Sequence, residues 1–132
     1  MRLAPILALA ALLLAVASPA AAQLIAQRST QTITTSGSDC TTAAACAAIA
    51  DVFRTLNGTV DLSGTFTGTA QFEGTIDGTN WRALSVTPLA GGTAVTSATA
   101  VGAWTYVAAL VGVRVRASAL ASGSIVVSLA AR

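Results

Sequence analysis

From residue 57 onward the chain alternates apolar and polar positions with a period of two, broken every 8–12 residues by turn-forming residues. Residues 59–63 read as a strand, with Gly64 as a bulge or turn. Residues 65–76 alternate, with Ala70, Phe72 and Ile76 on one face and Gln71, Glu73 and Thr75 on the other. Asp77-Gly78 is a strong hairpin signal, and 81–86 reads as the returning strand. Pro88 and Gly91-Gly92 end that hairpin, because proline cannot donate into a ladder. A weak strand over 93–98 precedes a stronger one over 103–110, which puts Trp104, Tyr106 and Ala108 on one face. Residues 111–118 set Val111, Val113, Val115 and Ala117 against Gly112, Arg114, Arg116 and Ser118. Ser122-Gly123 predicts a turn and 124–129 a closing strand. Six to eight short strands without β-α-β alternation predict an all-β fold, an antiparallel β-sandwich of jelly-roll-like or Ig-like type.

The first 56 residues follow other rules. Residues 23–39 are rich in Thr and Ser, with a short edge strand at 31–34. Residues 43–56 have helical composition, Ile49, Val52, Phe53 and Leu56 recurring at three- and four-residue spacing. A short N-terminal helix is therefore favoured slightly over a loop that leads into a strand at 52–56. Before these lie Arg2, an apolar run over 3–16, the break Ser18-Pro19, and the small residues Ala20-Ala21-Ala22. That order is the order of a secretory signal peptide. A run of about 14 residues falls short of the roughly 20 needed to span a bilayer; an uncleaved anchor or buried helix is the alternative. The expected organisation is a signal peptide over 1–22 cleaved near Ala22/Gln23, an N-terminal segment over 23–56, and a β-sandwich domain over 57–132. The product would be secreted, periplasmic or held at the cell surface, and would meet a membrane only through the signal peptide.

Composition narrows the chemistry. The 132 residues are 54% hydrophobic and 9% charged, against about 25% charged in an ordinary domain. Most of the excess hydropathy belongs to residues 1–22, but the low charge persists beyond them. Thr and Ser supply 28 of the 110 later residues, which coats strand faces with hydroxyls in place of ions. Without histidine, no Ser-His-Asp or Cys-His unit and no histidine-ligated zinc site can be built. Two cysteines are too few for an all-thiolate zinc site, and a net charge of +2 from scattered arginines does not suit nucleic acid. The expectation is no enzyme, cofactor or metal.

Export into an oxidising compartment would favour a Cys40–Cys46 disulfide over two free buried thiols, contributing about 2 kcal/mol by loop closure. Six residues of continuous helix would separate the two Cα atoms by roughly 9 Å, beyond the roughly 7 Å that a disulfide bridges. Bond and uninterrupted helix exclude each other, so any helix must start near Ala43.

Residues 64–89, GTFTGTAQFEGTIDGTNWRALSVTPL, with the later AWTYV and VRVRAS strands and the terminal GSIVV, resemble small β-sandwich modules of tailed-phage virion proteins and bacterial surface or prophage-encoded proteins. The resemblance covers about 58–129 and rests chiefly on FEGTIDGTNW. It implies a non-catalytic structural or adhesive role on a particle or cell surface. Virion proteins assembled in the cytoplasm carry no export signal, so residues 1–22 point to an exported bacterial user of the fold; residues 23–56 fall outside the match. Thr75-Ile76-Asp77-Gly78-Thr79-Asn80-Trp81 also looks like a shortened Asp-box of propeller glycosidases, one residue short and present once. Turn chemistry alone accounts for it: Asp77 bonds its own turn, Gly78 supplies positive φ, and Trp81 packs back on the hairpin.

Carboxylate catalysis needs two acids about 5–9.5 Å apart. Glu73 and Asp77 would be roughly 13 Å apart along a strand, and Asp39, Asp51 and Asp61 have no evident partner. Asp77 with Asn80 could hold calcium weakly, although a plain turn suffices. Asp77, Gly78, Asn80 and Trp81 could form a glycan site, with Trp104 and Tyr106 adding to an aromatic platform, against core packing of these rings. Arg82, Arg114 and Arg116 could form a cationic strip, against a solvated strand face. Asn57-Gly58-Thr59 fits both a glycosylation acceptor and a turn. The overall expectation is an exported structural or adhesive module that meets protein partners, or itself, through strand edges that lack the usual blocking lysines. A carbohydrate-binding module is the alternative.

Overall fold

The computed structural model describes residues 27–37, 40, 44–49 and 55–132, with the side chains of 55 and 56 excepted. The expected signal peptide and the stretch 50–54 lie outside the described residues. Among the described residues eight strands follow in order: β1 (Gln27–Ile33), β2 (Cys46–Ile49), β3 (Thr55–Thr75), β4 (Arg82–Ala83), β5 (Thr87–Pro88), β6 (Ser97–Ala98), β7 (Gly102–Leu110) and β8 (Gly112–Ala131). All pairings are antiparallel, and the fold is an all-β, sandwich-like sheet.

Two strands are far longer than their turn residues predict. β3 and β8 form one ladder from Gly58↔Ala131 to Thr75↔Gly112. The N-terminal part of β3 and the C-terminal part of β8 take β1 and β7 as neighbours, with β5 beyond β7. The other halves take β2, β4 and β6. The two half-sheets share one core: Val60, Leu62, Trp104, Ile125 and Val127 from the first half join Phe72, Val113, Val115 and Ala117 from the second. Phe72 meets Trp104 across the core with ring centroids 5.2 Å apart. Inward positions alternate along both long strands, as the period-two pattern requires.

Gly64 and Ser122-Gly123 therefore do not end strands. The β3–β8 ladder runs through both, and long-range pairing overrides the local turn signal. Gly64 has φ +98° and Gly123 φ +81°, and a Cβ on Gly123 would collide with the carbonyl oxygen of Thr65. Register shifts between Thr67 and Gly68 and between Thr69 and Ala70 leave Ala121 and Ser118 as extra residues on β8. Such bulges bend a strand and increase its twist. They occur between the two half-sheets, where the ladder must turn from one layer to the other.

The helix expected within 43–56 is not formed at Cys46–Ile49. These residues pair with Arg116–Val113 of β8, with Ala47 and Ile49 buried and Ala48 half-buried. A helix would have left the β8 edge groups without these partners. Cys40 and Cys46 are disulfide-bonded, their Cα atoms 5.4 Å apart. Ile76, expected on the core face, is 75% exposed because β3 ends one residue earlier.

Candidate functional site

The predicted hairpin residues sit at the end of β3. Asp77 organises the turn as a single acceptor hub. Its Oδ1 accepts from the N–H groups of Thr79 (2.9 Å) and Asn80 (2.7 Å) and from the Thr75 hydroxyl (3.0 Å). Its Oδ2 accepts from Asn80 Nδ2 at 2.7 Å. Gly78, at φ +76°, donates its N–H to Thr75 Oγ1. The side-chain amide of Asn80, then the backbone N–H groups of Asn80 and Thr79 and the Thr75 hydroxyl, hold the Asp77 carboxyl well below the usual carboxylate range. The loop is longer than a two-residue turn, since pairing resumes only at Gly74↔Arg82 and Glu73↔Ala83.

Trp81 leaves the turn and lies half-buried on the outer face of the second half-sheet, away from the core that holds Trp104 and Tyr106. Its ring covers Gly112, where a Cβ would approach it to 3.0 Å, and the Arg114 guanidinium stacks over it at 4.4 Å from the centroid. A shallow cavity of about 300 Å³ beside the turn is lined by Ile76, Asp77, Asn80, Arg82, Leu84 and Leu110, with Gly74 and Ala83, and not by Trp81. The four hairpin residues thus stay together in sequence but do not converge on one concave site with an aromatic wall.

The three arginines separate likewise. Arg82 is exposed and borders the hairpin cavity. Arg114 and Arg116 project from the same face of β8, flanking a residue not identified as their partner from sequence, Glu73 of β3. Glu73 Oε2 accepts from Arg114 Nε at 2.5 Å, and Oε1 accepts from Arg116 Nε and Nη2 at 3.2 and 3.0 Å. Arg116 also donates to the Gly37 carbonyl at 2.8 Å. Glu73 is 8% exposed and Thr75 2%. This outer face is therefore a covered ion-pair cluster with Trp81 as its lid, and not an open cationic strip. Among the described residues, no group of three or more His, Cys, Asp or Glu is placed to hold a metal.

The cluster left one trace in the sequence: an acid on one alternating strand and two arginines at i, i+2 on another. Only the register Glu73↔Arg114 shows that they meet.

No family model matches the chain, and no curated protein matches it. Among solved structures, the crystal structure of SPBc2 prophage-derived protein YomS is similar, with a TM-score of 0.58 and 16% sequence identity, over 82% of this chain and 96% of that one. At that identity the likeness is one of fold.

Proposed function

We propose that the chain is a non-catalytic structural or adhesive subunit of a surface or virion-like assembly, exported after removal of residues 1–22. The observation that carries this reading is the shared fold, which spans 96% of a prophage-derived protein. The handling of ionisable groups supports it. Glu73 is occupied by Arg114 and Arg116, and Asp77 by its own turn, so neither acid is available to move a proton on a substrate. The low charge of the sequence, 9%, suits contact with other protein surfaces, whose buried interface cores are depleted of charged residues.

Fractionation of the cells that make the protein tests this. Particles, envelopes and soluble contents are separated and the protein is followed through each. It is expected to sediment with particles or envelopes. Recovery wholly as a freely soluble species, inside or outside the cell, would overturn the reading.

A further inference from the structure

We propose that β1 is a self-complementary edge, and that two copies of the chain pair through it, antiparallel and centred on Thr30. The inference rests on the structural-subunit reading and names the partner for one edge of it. Asn57 and Arg132 exchange both backbone hydrogen bonds, which makes them a hydrogen-bonded pair of the β3–β8 ladder. Alternation along β8 then points Ala130, Ser128 and Val126 toward β3, and Ala131, Leu129, Val127 and Ile125 toward β1. Their partners Gln27, Ser29, Gln31 and Ile33 point back to β8. Arg28, Thr30 and Thr32 must therefore aim their N–H and C=O groups away from the sheet.

Among the described residues no strand pairs with that side of β1. The next outward group, Thr34 N–H, bonds the Ala44 carbonyl at 2.8 Å, so the chain itself closes the edge just beyond Ile33. What remains open is a short, regular edge without proline, glycine, lysine or bulge, the kind that accepts another strand.

A second β1 fits this edge in one favoured register. With Thr30 opposite its own copy, Arg28 faces Thr32 of the other chain, and all three outward residues fall into hydrogen-bonded pairs. Shifting by one residue in either direction loses one of those pairs or calls on Thr34, which is already bonded. The same register keeps the two Arg28 side chains from opposing each other, since each meets a threonine. Thr30 and Thr32 are exposed, so pairing displaces no packed side chain.

Site-directed cross-linking of the purified protein, with its 40–46 disulfide intact, reads the register. Hydrogen-bonded antiparallel partners have Cα atoms about 5.5 Å apart, within disulfide reach. Residue 32 and its copy would be offset by roughly 13 Å. Thr30→Cys should therefore give a disulfide-linked dimer on mild oxidation about tenfold faster than Thr32→Cys. Thr30→Pro removes an N–H that β8 does not use, together with the exposed hydroxyl contact to Ser128 at 3.1 Å; it should lower the melting temperature by no more than a few degrees, matched by Thr30→Ala, which keeps the N–H, and unlike Thr30→Ala it should weaken dimerisation in sedimentation about tenfold or more. Equal cross-linking at 30 and 32, or a folded Thr30→Pro that dimerises like wild type, would overturn the edge assignment. If wild type still associates in that case, the structural-subunit reading survives through another surface. If wild type is monomeric throughout, the edge assignment fails, and the cell fractionation decides the broader reading separately.

Discussion

Replacing Glu73 by glutamine should be among the most damaging conservative changes in the protein. The substitution preserves size and shape but removes the charge between Arg114 and Arg116. The three side chains are only 11–16% exposed, so the two guanidinium groups cannot simply be returned to water. Removing one partner from a fully buried ion pair costs about 3–5 kcal/mol. The remaining solvent access and the surviving amide acceptor reduce this to about 2–3 kcal/mol. For a domain of about 100 residues that is roughly 8–12 °C in melting temperature. Thermal and urea unfolding of wild type and Glu73→Gln at neutral pH give the number. A triple variant, Glu73→Leu with Arg114→Met and Arg116→Met, removes every charge together and should lie within about 1 kcal/mol of wild type. A shift below about 0.5 kcal/mol for Glu73→Gln, or a triple variant worse than the single one, would refute a covered, mutually dependent cluster.

Three further outcomes follow from the geometry. Gly123→Ala places a Cβ against the Thr65 carbonyl at φ +81°, so it should cost about 2 kcal/mol or more in urea unfolding, whereas alanine at exposed Ser122 should change little. The depressed Asp77 carboxyl contributes stability that is fully present above the unfolded value of about 4 and is lost as pH falls toward its folded value; Asp77→Asn should therefore flatten the melting temperature of wild type between pH 5 and pH 2, and parallel curves would contradict the hub described for the turn. Cys40→Ser with Cys46→Ser should lower stability by about 2 kcal/mol, matched by reduction of wild type with dithiothreitol.

Much of the sheet was legible because burial enforces a period of two. Trp104 and Tyr106 on β7, and Val113, Val115 and Ala117 on β8, face the core as their alternation indicates. The Asp77 turn was legible for a different reason: its bonds join residues 75 to 80, and short-range chemistry needs no knowledge of the fold. The misreadings share the opposite property. Gly64 and Gly123 look like chain reversals until β3 and β8, some 60 residues apart, are known to pair through them. Residues 46–49 look helical by composition, since alanine favours helix, until the β8 edge that claims them is placed. Trp81 reads as a core residue because so few aromatics are available to fill the interior, but Gly112 and Arg114 offer it a seat on the outer face. No local pattern joins Glu73 to its partners Arg114 and Arg116, 41 and 43 positions away. The candidate site was thus legible as residue types and not as contacts.

We propose above that the protein is a building element, in place of a soluble catalyst or free binding factor. The most direct test of this reading is the number of copies retained on the structure it belongs to. Particles or envelopes from the cells that make the protein are washed in high salt, and the protein is counted against their known structural components by quantitative mass spectrometry. Retention in copy numbers comparable to those components is expected. Loss of the protein in the wash, or retention at only trace levels, would contradict it.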